Sequence, residues 1–262
     1  MGVQAETRHK EILDQLHKNG KVFVNDVAEK LNVTQVTVRR DLVYLQKKGL
    51  LKKIYGGAVL AQLDVKASVR FRQKKRFEAK KIVGKLAARL INDNDIIYLE
   101  AGSTCNEIIP HLENRNNLTI IVNSLFLMRR LHEMNKHKII IVGGQYRPQR
   151  MDLIGPAAEL AISQLSGFKA FTSADDIAVD AGISGADIVT VGFSKLLLKK
   201  AAQVIFVGDH TKFDNPALYK IANIDRLDYI VTNSIPSPQW HSAAKKHNIK
   251  LIYPDAKTTK SA

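Results

Sequence analysis

The sequence predicts an α/β chain of two domains, a small basic helical module followed by a larger, mostly parallel α/β domain. Three observations predict it. The chain has 262 residues, more than one small domain needs. Its charge is uneven: residues 1–60 carry 11 Lys/Arg against 6 Asp/Glu, 61–90 carry 10 against 2, and 91–262 carry 19 against 17, within a net charge of +15. Near residue 95 the pattern changes from helical stripes to short apolar runs separated by helical segments. A basic first third on a near-neutral remainder is the footprint of a nucleic-acid-binding module joined to something else.

Other features narrow the class. Apolar runs such as Ile139-Ile140-Ile141-Val142 are far too short to cross a bilayer. The N-terminus has no apolar core followed by a small-residue cleavage site, so a cytoplasmic location is expected. The single cysteine, Cys105, excludes an internal disulfide and a multi-thiolate metal site. No cofactor is called for.

The N-terminal elements follow in order. Thr7 is a candidate cap for a helix reaching about Lys18, with Ile12, Leu13 and Leu16 on one face and Asn19-Gly20 as its stop. Lys21-Val22-Phe23-Val24 reads as a strand. Asn25 can cap a second helix with Val27, Ala28 and Leu31 inside, and Asn32-Val33 turns the chain. Thr34 can cap a third helix to about Lys48, ended by Gly49. A strand from Leu50 to Tyr55, a tight turn at Gly56-Gly57 and a returning strand at Ala58-Val59-Leu60 complete residues 1–60. Three helices and a two-stranded ribbon in this order make a winged helix-turn-helix.

Function is argued from the third helix. Val38, Leu42 and Leu45 form its buried stripe. Val36, Arg40 and Lys47 point the other way, flanked by Thr37 and Arg39. Arg can donate two hydrogen bonds to guanine, and Val or the Thr methyl can pack on a thymine methyl. Gln35, in the first turn, could read adenine. Asp41 lies nearer the buried side and is given a structural role. Lys52 and Lys53 precede the wing turn and suit phosphates.

The run Val33-Thr34-Gln35-Val36-Thr37-Val38-Arg39-Arg40-Asp41-Leu42, followed by Leu50-Leu51-Lys52-Lys53-Ile54-Tyr55-Gly56-Gly57-Ala58, resembles the DNA-binding signature of the DeoR family of bacterial transcription regulators. The Thr-Val-Arg-Arg-Asp-Leu run and the Tyr-Gly-Gly-Ala wing stand together at the family spacing. The resemblance brings Thr34 and Tyr55 into the DNA-contacting set and implies double-stranded operator DNA as partner.

Residues 61–73 lack a clear period and read as a basic linker, the boundary falling near residue 72. Arg70-Phe71-Arg72-Gln73-Lys74-Lys75-Arg76 is either a solubilising helix start or extra phosphate contact beside the wing. Phe77, Val83, Leu86, Ala87 and Leu90 resume a helical pattern.

Residues 74–262 carry apolar runs at 96–99, 118–122, 138–142, 168–171, 204–207, 229–231 and 249–253. Continuous apolar runs between helices argue a mostly parallel sheet covered on both faces. Ligands of such sheets bind at the carboxyl ends of the strands. After the first run comes Glu100-Ala101-Gly102-Ser103-Thr104, leading into a helix, a turn that presents N–H groups and hydroxyls to an anion. Asn123-Ser124, Gly143-Gly144, Ser173-Ala174-Asp175-Asp176 and Asp209-His210-Thr211-Lys212-Phe213 follow the next four. Five small or polar clusters at corresponding strand ends make a crevice suited to a phosphorylated polyol or sugar.

The resemblance continues here, and the family's effector domain is related in fold to ribose-5-phosphate isomerase and CoA transferases. It implies that Gly102, Ser103 and Thr104 hold a phosphate, with Asn123, Asp175 and Lys212 on the sugar or its phosphate. Glu100 stands where Asp is usual, and Ser173 and Asp176 replace glycines of a usual Gly-Ala-Asp-Gly. An acidic residue often found before the next helix is not apparent, Ile188 and Thr190 occupying that stretch.

The leading reading is a repressor of a carbohydrate-utilisation operon, controlled by a phosphorylated sugar or polyol and acting as a homo-oligomer, dimer or tetramer. The alternative is a sugar-phosphate isomerase-like enzyme with an appended nucleic-acid-binding module. Glu100, Asp175, Asp176 and Lys212 could be drafted for its chemistry, but no constellation compels it. His210 reads as a structural hydrogen-bonding residue. An RNA or membrane scaffold is disfavoured. Phe23, Tyr44 and Tyr55 are the only aromatics in the first 60 residues, too few for base stacking, and no helix joins a basic face to a broad aromatic one.

Overall fold

The computed structural model describes residues 3–19, 21–48, 50–59 and 69–254. The chain divides into two compact units, Met1–Arg72 and Gln73–Ala262.

In the first unit, α1 (Val3–Asn19) leads to β1 (Lys21–Phe23), α2 (Val24–Lys30), α3 (Gln35–Lys47), β2 (Lys52–Ile54) and β3 (Gly57–Val59). The three strands form one antiparallel sheet in the order β1-β3-β2. Ile12 and Leu16 of α1, Val27 of α2, and Val38, Leu42 and Leu45 of α3 are buried in one core. Each such side chain contributes about 1.5–3 kcal/mol.

Three local expectations are corrected. Thr7 is not a cap. Gln4, Ala5 and Glu6 are compatible with helix and nothing interrupts them, so α1 begins at Val3. Asn25 is not a cap either: Val24 already pairs its N–H with Gly56 O at 2.9 Å and enters α2 directly from an extended Phe23. The wing turn is Tyr55-Gly56, while Gly57 is a strand residue. Gly57 lies so close to β1 that a Cβ there would sit 2.1 Å from Val22 O. Gly20 and Gly49, read as helix stops, lie outside the described residues, as do residues 61–68 of the expected linker.

A short helix, α4 (Val69–Lys74), precedes the second unit's α5 (Phe77–Ala87). There follow β4 (Ile96–Leu99), β5 (Thr119–Val122), α6 (Leu125–Met134), β6 (Lys138–Ile141), β7 (Gln145–Arg147), β8 (Asp152–Ile154), α7 (Pro156–Ser163), β9 (Lys169–Thr172), β10 (Asp176–Ala178), β11 (Gly182–Gly185), α8 (Ile188–Lys200), β12 (Gln203–Val207), β13 (Tyr219–Ala222), β14 (Tyr229–Val231), α9 (Pro238–His247) and β15 (Lys250–Ile252). The seven apolar runs of the sequence form one parallel sheet, ordered β15-β14-β12-β9-β4-β5-β6. Its period of two splits the core. Ile97, Leu99, Ile120 and Val122 face one apolar layer, while Tyr98, Ile121, Ala170 and Phe206 face the other.

The sequence did not reveal the antiparallel additions, the β7–β8 hairpin and the sheet β10-β11-β13. Nor does an α-helix follow β4: the chain makes two 3₁₀ turns, Cys105–Glu107 and Ile109–His111. Pro110, in the second, has no N–H to extend a helical ladder. Among the described residues no helix is long and apolar enough to cross a membrane.

Candidate functional site

The first unit presents one polar face, built on α3. Thr34 caps the helix, its Oγ1 accepting the Thr37 N–H at 3.2 Å. With Val38, Leu42 and Leu45 locked inward, Gln35, Val36, Arg39 and Arg40 are exposed and Thr37 is half-buried. Val36 is 56% exposed. Arg39 and Arg40 make no ion pair among the described residues, because Asp41 is taken elsewhere. It is buried, and it accepts from Arg8 Nε at 2.5 Å and Nη2 at 2.9 Å, with His9 Nε2 at 2.8 Å. Burial pushes the Asp41 carboxyl up, but the Arg8 and His9 hydrogen bonds and charges outweigh it and hold it below its usual range.

The wing is tied to this helix by the Lys53 N–H, which donates to Gln46 Oε1 at 2.7 Å. Lys52 and Lys53 are exposed, and Tyr55 at the tip is wholly so. A convex helix with forked cations beside a cationic ribbon can enter a major groove and grip the flanking phosphates. The sequence reading missed the Gln46 and Arg8 links, which join residues remote along the chain.

In the second unit the chain runs from β4 outward through β5 to β6, then returns to β9 on the other side of β4. The strand order therefore reverses between β4 and β9, where open sheets of this kind form a crevice at their carboxyl ends. Glu100 and Ser173 end these two strands and meet there: the Ser173 N–H donates to Glu100 Oε2 at 3.1 Å. Ser194 Oγ donates to Glu100 Oε1 at 2.5 Å, and the Thr172 hydroxyl donates to Oε2. Burial raises the Glu100 carboxyl above its usual range, opposed by these donors and by the Arg150 charge. Gly102 lies against Ser173, and Ser103 and Thr104 are buried.

Asp175 and Lys212 come together beside them. Lys212 Nζ donates to Asp175 O at 3.2 Å, and Asp175 Oδ2 accepts the Ala186 N–H at 2.8 Å. Asp176 is buried and starts β10, accepting the Asn215 N–H at 2.9 Å; burial raises its carboxyl. His210 is held by Asn233 Oδ1, which accepts its backbone N–H at 2.8 Å.

The remaining candidates lie under the β7–β8 hairpin. Asn123 Nδ2 donates to Leu153 O at 3.0 Å, and Ser124 caps α6 by accepting the Leu127 N–H at 3.3 Å. Both Gly143 and Gly144 are exposed, but Gly144 lies against the hairpin at φ 141°, where a Cβ would sit 2.7 Å from Ile154 O, while a Cβ on Gly143 would meet nothing. Gly144 thus lets the hairpin close over the sheet.

That hairpin carries polar residues the sequence reading missed. Arg147 Nε and Nη2 donate to the two Asp152 oxygens at 2.8 and 2.6 Å, and Nη1 donates to Asp187 Oδ2 at 2.5 Å. Asp187 is the cap of α8, its Oδ1 accepting the Val189 N–H at 3.1 Å. An acidic residue, Asp187, thus stands immediately before that helix. An Asp just ahead of an apolar helical run was the available signal.

The comparisons with known proteins follow this geometry. Residues 8–63 match the DeoR-like helix-turn-helix domain and residues 75–234 the DeoR C terminal sensor domain. The chain is 27% identical to the HTH-type transcriptional regulator IolR of Bacillus subtilis, over 93% of this chain and 97% of that protein. It is 26% identical to the glycerol-3-phosphate regulon repressor of Escherichia coli, over the same shares of 93% and 97%. Among solved structures it is similar to ribose 5 phosphate isomerase A of Neisseria gonorrhoeae, at TM-score 0.39 and 14% identity, covering 52% of this chain and 53% of that one. With both units matched by their family models, the chain belongs to the DeoR family of transcription regulators.

Proposed function

We infer that the protein represses a carbohydrate-utilisation operon by binding operator DNA through α3 and the wing, and is released by a phosphorylated sugar or polyol. The observation that carries the DNA half is the row Gln35, Val36, Arg39 and Arg40, exposed opposite a fully buried stripe. The effector half is supported by the strand-end crevice at the β4/β9 reversal and by the glycerol-3-phosphate regulon repressor among its relatives. Gly102, Ser103 and Thr104 cradle the phosphate there, with Asn123, Asp175 and Lys212 around the polyol. Effector binding shifts the population between DNA-competent and DNA-incompetent states.

The protein acts in the cytoplasm as a homo-oligomer, because two half-sites about one helical turn apart need two reading helices. It does not turn its ligand over: Glu100, the buried carboxylate at the strand reversal, already accepts from three donors and is not poised to take a carbon-bound proton. Selection of bound duplexes from a random pool, followed by titration of sugar phosphates against the complex, tests this. A repeated half-site and release by a phosphorylated compound are expected. Absence of sequence preference overturns the operator reading, and turnover of ribose 5-phosphate overturns the non-enzymatic one.

A further inference from the structure

Two guanidiniums, Arg147 and Arg150, share the two carboxylates Asp152 and Asp187 unequally. Arg147 alone engages both Asp152 and Asp187, with three bonds of 2.5–2.8 Å. Arg150 reaches the same two carboxylates only at long range. Its Nη1 lies 3.4 Å from Asp187 Oδ2 and its Nε 3.6 Å from Asp152 Oδ2. Its side chain is 17% exposed, and its Nε has no hydrogen-bond partner among the described residues. A mostly buried guanidinium with an unfilled Nε–H is costly unless something else fills it.

The surroundings say where that something sits. Arg150 belongs to the four-residue turn 148–151 joining β7 to β8. The turn is pinned over the end of β5, since Met151 O accepts the Leu125 N–H at 2.9 Å and Leu153 N donates to Asn123 O at 2.7 Å. Beneath it, on the sheet face that carries the hairpin, Asn123 and Tyr98 are 2% and 0% exposed. Asn123 Oδ1 and the Tyr98 hydroxyl have no hydrogen-bond partner among the described residues. Arg150, its Nε–H unfilled, thus belongs to the turn over the strand end that carries Asn123, on the sheet face that also buries the Tyr98 hydroxyl.

We propose that Arg150 is the specificity-determining residue of the crevice, a guanidinium rested on Asp152 and Asp187 that swings to clamp the phosphomonoester of the effector. Arg147 is the positioning residue that holds the hairpin while Arg150 moves. The planar fork matches two oxygens of a tetrahedral dianion, which an uncharged polyol cannot offer. Asn123 Oδ1 and the Tyr98 hydroxyl then take hydroxyl groups of the ligand backbone. This rests on the reading of the crevice as the effector site.

The test titrates inorganic phosphate and glycerol 3-phosphate into the full-length protein at constant ionic strength, with glycerol as uncharged control. Melting temperature and the fluorescence of Trp240, the single tryptophan, are followed. Trp240 packs edge-on against Phe213, which follows Lys212 at the crevice, with ring centroids 5.1 Å apart. Arg150→Ala should weaken phosphate binding about tenfold or more, and Arg150→Lys should recover only part of it. Asp187→Asn keeps a capping oxygen but removes the competing charge, so it should tighten phosphate binding severalfold. A merely structural network predicts no gain from that variant. Arg150→Ala binding phosphate like the wild type, or Asp187→Asn weakening it, overturns the proposal. If Ser103→Asp then abolishes binding while Arg150→Ala does not, the crevice reading stands and only Arg150 falls. No saturable response of the wild type to either phosphate compound overturns both.

Discussion

Two buried carboxylates, Asp41 in the first unit and Glu100 in the second, are held in opposite ways. Asp41 is paired with two basic side chains, Arg8 and His9, and its pKa is lowered. Glu100 accepts only from hydroxyls and one backbone N–H, and its pKa is raised. The first arrangement spends a local charge to brace α1 against α3 and leaves Arg39 and Arg40 uncommitted on the outer face. The second satisfies a buried carboxyl at the strand reversal between β4 and β9 with neutral donors alone.

The comparison can be broken most forcefully with salt. If the first unit neutralises roughly 6–10 phosphates, operator affinity should fall about 10³–10⁵-fold between 50 and 200 mM salt. A flat response in fluorescence anisotropy would remove the electrostatic half of the argument.

Single substitutions sharpen it at smaller scale. Arg40→Ala and Arg39→Ala should each cost about 1–3 kcal/mol of binding and relax preference at one base position. Folding stability should stay within about 0.5 kcal/mol, since both side chains are solvated. Lys52→Ala should instead weaken all duplexes alike. Normal operator binding by Arg40→Ala would misplace the helix. Asp41→Asn should destabilise the first unit by about 1–3 kcal/mol, because it strips Arg8 and His9 of their shared partner. Glu100→Gln, which exchanges one neutral-donor network for another, should cost the second unit less than about 1 kcal/mol at neutral pH. Denaturant melts with site-resolved hydrogen exchange separate the two units, and equal costs would erase the distinction.

The smallest effect is in pH, and its sign differs between the units. Asp41, lowered on folding, contributes stability above the usual carboxylate range, which is lost as pH falls through its depressed value. Glu100, raised on folding, contributes stability below its usual range, which is lost as pH rises through its elevated value. Acidification below the usual carboxylate range should therefore loosen α3 amides before β4 amides. The reverse order of exchange would contradict both assignments.

Much of the fold was legible in the chain. The seven strands of the parallel sheet are continuous apolar runs because both of their faces are covered. The stripe Val38, Leu42, Leu45 and the cap Thr34 follow from helical period and a local hydrogen bond. The second unit's five strands outside the parallel sheet were not legible. They have three or four residues each and mix polar with apolar positions, as in Gln145-Tyr146-Arg147, so they read as loop. Arg147 and Arg150 sit in such a polar run around Pro148, and nothing local marks them as neighbours of Asp187.

What the sequence determined by itself is whatever depends on neighbours within a turn or two: which faces are apolar, where Thr34 caps, where charge accumulates, and which strands end in small polar clusters. Only the tertiary structure decided which of those groups are already spoken for. Asp41 meets Arg8 across 33 residues and Glu100 meets Ser194 across 94. Whether a polar side chain faces solvent, a ligand or a fixed partner depends on packing that brings remote segments within hydrogen-bonding distance, about 2.7–3.2 Å for N–H···O.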